Sequence, residues 1–262
     1  MKVLLAEYAT AHDPVLAHEG RAMLSVLTRS FEHCGYEVVF PGKGDFAAGI
    51  EMMAPQCDMG LVIAPDHLLP KFTMSLEQHT HNLGCGFMTA ALCANKVQTL
   101  KILAQNGIPV PGSAGPGKRV IKPVKGCGAQ GVRIAESPAG EGEFSQQYIE
   151  GEHFSVSLVA SRVIGDACAY FTGNPPLILA VNRQHISIDD AGGFHYLGGE
   201  TPVIHPRHDE IVGTAAKALN VLGCQGYCGV DMVLADAKYA QALAVAQGDD
   251  YSKYYYQVSA KK

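Results

Sequence analysis

The sequence predicts an α/β chain that turns α+β in its second part: an N-terminal parallel lobe with covering helices, then two antiparallel lobes. Three observations predict it. Short apolar runs alternate with helical stretches through residues 1–94. From Arg119 onward the apolar runs are separated by Gly-rich turns instead of helices. Between the two patterns lies a helical stretch closed by Gly107, after which Pro109 and Pro111 lead the chain away in extended form. The boundaries that follow are 1–94, 95–160 and 161–262.

In order, Val3-Leu4-Leu5-Ala6 reads as a buried strand, and residues 19–33, with Ala22, Met23, Val26, Leu27 and Phe31 at helical spacing, as a helix. Tyr36-Glu37-Val38-Val39-Phe40 is the next strand, and residues 59–64 the third, ending at Pro65-Asp66. A fourth candidate lies near Leu83-Gly84-Cys85-Gly86. Strands joined through helices make a parallel sheet. Ligands gather beyond the carboxyl ends of such strands, which singles out residues 7–14 and Pro65-Asp66-His67 as substrate-side segments. Residues 95–106 form a helix, and Val120-Ile121-Lys122 and Gly131-Val132-Arg133-Ile134-Ala135 flank a turn as a hairpin. Further strands are expected at 147–151, 154–159, 177–181 and 229–234, with a helix over 208–222.

A chain of 262 residues can bury a core shared by two or three lobes. With 47% hydrophobic and 17% charged residues it is not a disordered chain, and its apolar runs are too short to span a bilayer. The opening Met1-Lys2-Val3-Leu4-Leu5-Ala6-Glu7 lacks the long apolar stretch of a secretory signal. A net charge of −5 with dispersed Lys and Arg offers no basic face to nucleic acid, so a small-molecule ligand is expected. Cysteines 34, 57, 85, 93, 127, 168, 224 and 228 form no Cys-x-x-Cys pair, which suits reduced thiols and a cytoplasmic protein. Cys224 and Cys228 read as small buried hydrophobes. Self-association is left open.

The richest chemistry lies in Lys122-Pro123-Val124-Lys125-Gly126-Cys127-Gly128-Ala129-Gln130-Gly131-Val132. Glycines let backbone N–H groups close on phosphate oxygens, and a Lys at the strand end neutralises charge. The pattern Gly126-x-Gly128-x-x-Gly131 also matches a dinucleotide fingerprint, but that version must open a helix, and here extended sequence follows. A plain structural turn is the third reading. Lys122, between an apolar strand and Pro123, would be costly to desolvate unless an anion meets it. Lys96, in a helix's first turn, opposes the helix dipole and so is odd as surface decoration.

The chain resembles the ATP-grasp superfamily over roughly residues 1–234. The carriers are Asn95-Lys96 opening a helix that ends Gly107-Ile108-Pro109-Val110-Pro111, the Lys122-Pro123 hairpin, Gln146-Gln147-Tyr148-Ile149-Glu150-Gly151-Glu152, and Gly229-Val230-Asp231. The resemblance implies that Lys96 and Lys122 meet ATP phosphates, that the loop with Gly126, Gly128 and Gly131 covers them, and that Gln147, Tyr148 and Ile149 line the adenine. Glu152 or His153 would face the ribose. Asp231 matches the family's first Mg²⁺ ligand, in keeping with the preference of hard cations for carboxylate oxygen. Arg183, directly after an apolar strand, would hold a carboxylate or the transferred phosphate, and with Lys122 would be catalytic.

Within the superfamily the sequence is similar to the small carboxylate–amine ligases typified by tyramine–glutamate ligase, of methanofuran-type cofactor synthesis. The markers are Glu7-Tyr8-Ala9-Thr10-Ala11, Glu19-Gly20-Arg21-Ala22-Met23-Leu24, Val181-Asn182-Arg183-Gln184 and Gly198-Gly199-Glu200-Thr201-Pro202. This implies an ATP-dependent, ADP-forming ligase acting through an acyl phosphate, with substrates such as glutamate and tyramine. One departure stands out. The family places an acid and an Asn on the strand after Asp231, yet no Glu and no Asn follow it, leaving Asp236, Asp249 and Asp250 as the remaining acids. An ATP-binding protein without ligase activity, and a Rossmann-type oxidoreductase, are the competing readings.

Overall fold

The computed structural model describes residues 1–42, 44–113, 117–126, 129–160 and 175–236, and the backbone of 256–261. The chain forms two compact units, Met1–Ala91 and Leu92–Lys262.

The first unit runs β1 (Lys2–Glu7), α1 (Ala9–His12), α2 (Ala17–His33), β2 (Glu37–Val39), α3 (Phe46–Met53), β3 (Met59–Ile63), α4 (Leu69–Glu77) and β4 (His81–Asn82). Its strands form a parallel sheet ordered β2-β1-β3-β4. β1 is central, which is why its side chains are apolar without alternation: both faces are covered, and residues 3–6 are buried. Leu4 and Ala6 pack with Phe46, Ile50, Val62, Phe72 and Leu76 in one core cluster. Asp45 starts α3 by accepting from the Ala48 N–H at 2.8 Å. The fourth strand is His81–Asn82, two residues before the candidate near Leu83.

Two of the sequence markers interlock in this unit. At the end of β1 the buried Glu7 carboxylate accepts from the N–H groups of Ala9 (2.8 Å) and Thr10 (2.7 Å). Gly20 of α2 passes so close that a Cβ there would lie 2.5 Å from Glu7 Oε1. The glycine in the second marker therefore makes room for the carboxylate in the first.

The division between the units falls within α5 (Phe87–Ala94). The second unit continues with α6 (Lys96–Gln105), β5 (Arg119–Pro123), β6 (Arg133–Ile134), β7 (Glu143–Gln147), β8 (Gly151–Ala160), β9 (Leu177–Ile188), β10 (Phe194–Glu200), α7 (His208–Leu222), β11 (Gly226–Ala235) and β12 (Tyr256–Lys261). These strands make two antiparallel sheets, β6-β5-β7 and β10-β9-β8-β11-β12. On the larger sheet Phe154, Val156, Leu158, Val230 and Met232 pack against α7, whose Ile211, Ala215, Ala218, Leu219 and Leu222 recur at helical spacing. Each large side chain so buried contributes about 1.5–3 kcal/mol. Gly223 closes α7 in the left-handed region at φ 66°.

Residues 148–150 connect the two sheets without strand structure, and β8, expected to close the 95–160 segment, is hydrogen-bonded into the larger sheet between β9 and β11. The glycine-bearing stretch leads into β6, which pairs antiparallel with β5 (Val120 opposite Ile134). Among the described residues no helix opens there, as the Rossmann reading requires.

Candidate functional site

The glycine loop is anchored at both ends. Asn95 caps α6 by accepting from the Gln98 N–H at 3.1 Å, which fixes Lys96 at the first helical position. The Lys96 N–H donates to Val124 O at 3.1 Å, and its ammonium to Gly126 O at 2.5 Å. Lys96 is thus docked on the loop beyond β5, with its positive head among backbone groups. Gly126 (φ 147°) and Gly131 (φ 70°) adopt conformations that a side chain would strain. Cys127 and Gly128 lie outside the described residues. Arg133 and Glu143 staple the flanks through two parallel bonds of 2.6 and 2.9 Å. That bond, with the Gly140 N–H, lowers the Glu143 carboxyl to about 2.

After the smaller sheet the chain crosses through Gln147, Tyr148 and Ile149. The Gln147 and Tyr148 N–H groups donate to Gly112 O (2.8 Å) and Lys118 O (2.9 Å), which pins this connection, while the peptide groups of Ile149 stand outside those bonds. Gln147 and Ile149 are buried. Burial, and secondarily the Glu150 charge, push the Tyr148 phenol up.

The next two residues separate. Glu152 pairs with Arg183 (3.2 Å) and His205 (3.2 Å), whereas His153, on the other face of β8, feels the Lys122 charge. Burial first, and the Lys122 charge second, hold His153 below the ordinary imidazole value, so it is a neutral ring. The two candidates for the ribose position lie on opposite faces of β8, Glu152 with Arg183 and His153 on the other side.

Strand alternation explains the split. Phe154, Val156 and Leu158 face the α7 core, so His153, Ser155 and Ser157 face the other way. Asp231 sits opposite Ser155 and Val233 opposite His153, which puts Asp231 on the same face. His153 and Asp231 are therefore diagonal neighbours on that face. From β9, Gln184 reaches across β8 to donate to Asp231 Oδ1 at 3.2 Å. Asn182 donates to Ser155 O, Ser155 Oγ and Ser157 Oγ at 3.1–3.2 Å. Tyr227 reaches Ser157 Oγ at 3.4 Å.

Arg183 lies apart from these residues. Between Asn182 and Gln184 on β9, it points to the opposite face, where its guanidinium lies 5.7 Å from the Phe154 ring centroid, pairs with Glu152 and comes within 3.9 Å of Glu200. Arg183 and Asp231 do not converge, and Glu152 stays on the Arg183 side. The neighbouring pair on β10 and β9, Glu200 and His185, is 3.2 Å apart.

The strand beside Asp231 is β12, with Ser259 opposite Asp231 and Gln257 opposite Val233. Its sequence, Tyr256-Gln257-Val258-Ser259-Ala260-Lys261, carries neither an acid nor an Asn. Asp236 lies five residues beyond Asp231, about 17 Å along the strand direction, and its N–H is taken by Glu150 O. Asp249 and Asp250 lie outside the described residues.

A family model of the ATP-grasp domain matches residues 93–241. The chain belongs to the ATP-grasp family. It is 31% identical to the tyramine–L-glutamate ligase of Methanocaldococcus fervens over 186 residues, 70% of this chain and 56% of that protein. The enzyme of that name from Methanocaldococcus jannaschii is also 31% identical, over 68% of this chain and 51% of its own length. The chain thus spans about half the length of the curated relatives it matches. Among solved structures, an ATP-grasp superfamily protein from Archaeoglobus fulgidus superposes with a TM-score of 0.73 at 29% identity, covering 90% of this chain and 77% of its own. The D-alanine–D-alanine ligase of Bacillus anthracis shares the fold at 17% identity, with a TM-score of 0.63, over 97% of this chain and 94% of its own.

The residues of this ATP-grasp chain fit the groups the family uses. Lys96 and Lys122 border a loop whose backbone can approach phosphate. Asp231 stands on a face of carboxylate, amide and hydroxyl oxygens, the donor set that suits a hard divalent cation. Sequence reasoning quoted Asn182 and Gln184 only as markers and missed their placement on the face that bears Asp231. The available signal was their i, i+2 spacing around Arg183, the mark of a shared strand face. Among the described residues no helix is long and apolar enough to cross a membrane.

Proposed function

We propose that this chain is an ATP-dependent, ADP-forming carboxylate–amine ligase, joining glutamate to tyramine or a related amine through an acyl phosphate. The observation that carries the reading is the pair of built features in one unit: Lys96 docked on the glycine loop beyond β5, and Asp231 on a polar sheet face with Gln184 and His153. The likeness to two tyramine–L-glutamate ligases supports the substrate class.

In this reading Lys96 and Lys122 balance the triphosphate charge while backbone N–H groups of residues 126–131 close over it. Gln147, Tyr148 and Ile149 line the adenine, and His153, neutral at physiological pH, offers one donor or acceptor to the ribose. Asp231 would hold Mg²⁺, which supplies charge neutralisation at the phosphates. A carboxylate oxygen of the acid attacks the γ-phosphorus and ADP leaves. The amine then attacks the acyl carbon and phosphate leaves, so each amide formed costs one ATP. The positive groups hold the acyl phosphate in place and delay its hydrolysis.

The test is product analysis with ATP, Mg²⁺, glutamate and tyramine. ADP, phosphate and amide in equal amounts are expected, and stoichiometric AMP would overturn the reading. A second reading, nucleotide binding without ligation, is favoured by one observation: Ser259 stands beside Asp231 where the family's acid-bearing strand would run. Tight ATP binding without ADP release across an amine screen would decide for it.

A further inference from the structure

The cation site expected beside Asp231 lacks the ligands that the following strand usually brings. β12 is hydrogen-bonded in that place, and its residues carry no carboxylate and no Asn. A lone carboxylate gives a divalent cation little purchase beyond its contact with nucleotide oxygens. The opposite flank of the same face supplies what β12 does not. On β9, two strands away, the Gln184 amide extends over β8 and donates to Asp231 Oδ1 at 3.2 Å. That bond turns the N–H₂ end of the amide to the carboxylate, and Oε1 belongs to the same planar amide group. Among the described residues nothing donates to Oε1. Amide carbonyl oxygens are ordinary ligands for hard cations.

We propose that Gln184 Oε1 is a protein ligand of the divalent cation in this chain, standing in from β9 for the ligand absent from β12, with Asp231 as its partner. The proposal rests on the reading of this face as a nucleotide–metal site. Asn182, whose three donor contacts hold Ser155 and Ser157, keeps the strand face beneath ordered and is a positioning residue. Arg183, between the two amides, points to the opposite face and takes no part in the site.

The two roles open to Gln184 predict opposite results for one substitution. As a donor that merely orients Asp231, it could not be replaced by Glu, which offers no N–H at neutral pH and would repel the neighbouring carboxylate. As an oxygen ligand it could be, because a carboxylate oxygen would occupy the place of Oε1. The experiment measures Mn²⁺ binding by electron paramagnetic resonance in the presence of the non-hydrolysable nucleotide AMP-PNP, for the parent chain, Gln184→Ala and Gln184→Glu. Binding of a fluorescent ADP analogue in EDTA serves as the metal-free control. Gln184→Ala should weaken Mn²⁺ binding about tenfold to a hundredfold while leaving metal-free nucleotide binding unchanged. Gln184→Glu should restore Mn²⁺ binding to the parent level or above. Mn²⁺ affinity unchanged in Gln184→Ala, or Gln184→Glu as weak as Gln184→Ala, overturns the ligand role. Absence of metal-free nucleotide binding by the parent instead overturns the function proposed above, so the two failures are told apart.

Discussion

The two faces of the five-stranded sheet use one three-residue stretch, Asn182-Arg183-Gln184, for different purposes. On one face the flanking amides meet Ser155, Ser157 and Asp231. On the other, Arg183 lies over Phe154 between Glu152 and Glu200, beside a core closed by α7. A contiguous motif is thereby divided by the two-residue period of the strand, and the same division separates His153 from Glu152 one strand over. Adjacency in a sequence groups residues that a strand sends to opposite sides. The polar face is accordingly expected to govern ligand binding, and the Arg183 face to govern stability.

The largest effect expected from that contrast is at Lys122. Lys122→Ala removes positive charge beside His153 where phosphate is expected, and should weaken ATP binding by about 2–4 kcal/mol, roughly a hundredfold in Kd, with folding retained. Calorimetry on the folded variant checks it. Affinity equal to the parent's would show that Lys122 does not meet phosphate.

A smaller effect is expected from the opposite face. Arg183 Nε is buried with no hydrogen-bond partner among the described residues, a cost of about 1–3 kcal/mol to the folded state. Its partners Glu152 and Glu200 are half exposed, so the ion pairs return little. Arg183→Met keeps the stem over Phe154 and deletes the unpaired donor. Stability should change by less than about 1.5 kcal/mol, and ATP and Mn²⁺ affinity by less than about twofold. Denaturant unfolding and the same binding assays read both. A folded Arg183→Met that loses ATP binding would return Arg183 to the nucleotide site and break the contrast between the faces.

Much of this was legible in the sequence, for identifiable reasons. The parallel first unit announced itself because β1 is central and needs apolar residues on both faces. The Asn95 cap, the strand-end Lys122 and the glycine turn are short-range features, each readable from a handful of neighbours. What escaped was long-range or depended on phase. Gln184 meets a partner 47 residues away, which no local pattern encodes. Assigning Glu152 or His153 to the nucleotide side required the phase of β8, fixed only when Phe154 enters the α7 core. The sheet that β8 joins was not legible either, because β8 is apolar on alternate residues, a pattern that fits an edge of the smaller sheet as readily as the middle of the larger one.

The smallest effect separates the polar face from the smaller sheet through pH. His153 is held below the ordinary 6.5 by burial and then by Lys122. Its unfolded form binds a proton first as pH falls, so the folded state loses stability below about pH 6.5 and levels off once the buried ring also protonates. Glu143 is lowered from 4.5 to about 2 by the Arg133 bonds and the Gly140 N–H. Its contribution is present above about pH 4.5 and is lost as pH falls toward about 2. Both groups make acid destabilising, but in separate windows. His153→Asn should flatten the thermal midpoint just below about pH 6.5 while leaving the Glu143 window intact. Glu143→Gln should do the reverse, with a smaller amplitude because its ion pair is solvated. Thermal unfolding from pH 7.5 to 3 for the parent and both variants reads the two windows. A parent midpoint that rises as pH falls below about 6.5, or a His153→Asn profile that follows the parent's, would remove His153 from its buried position on the polar face.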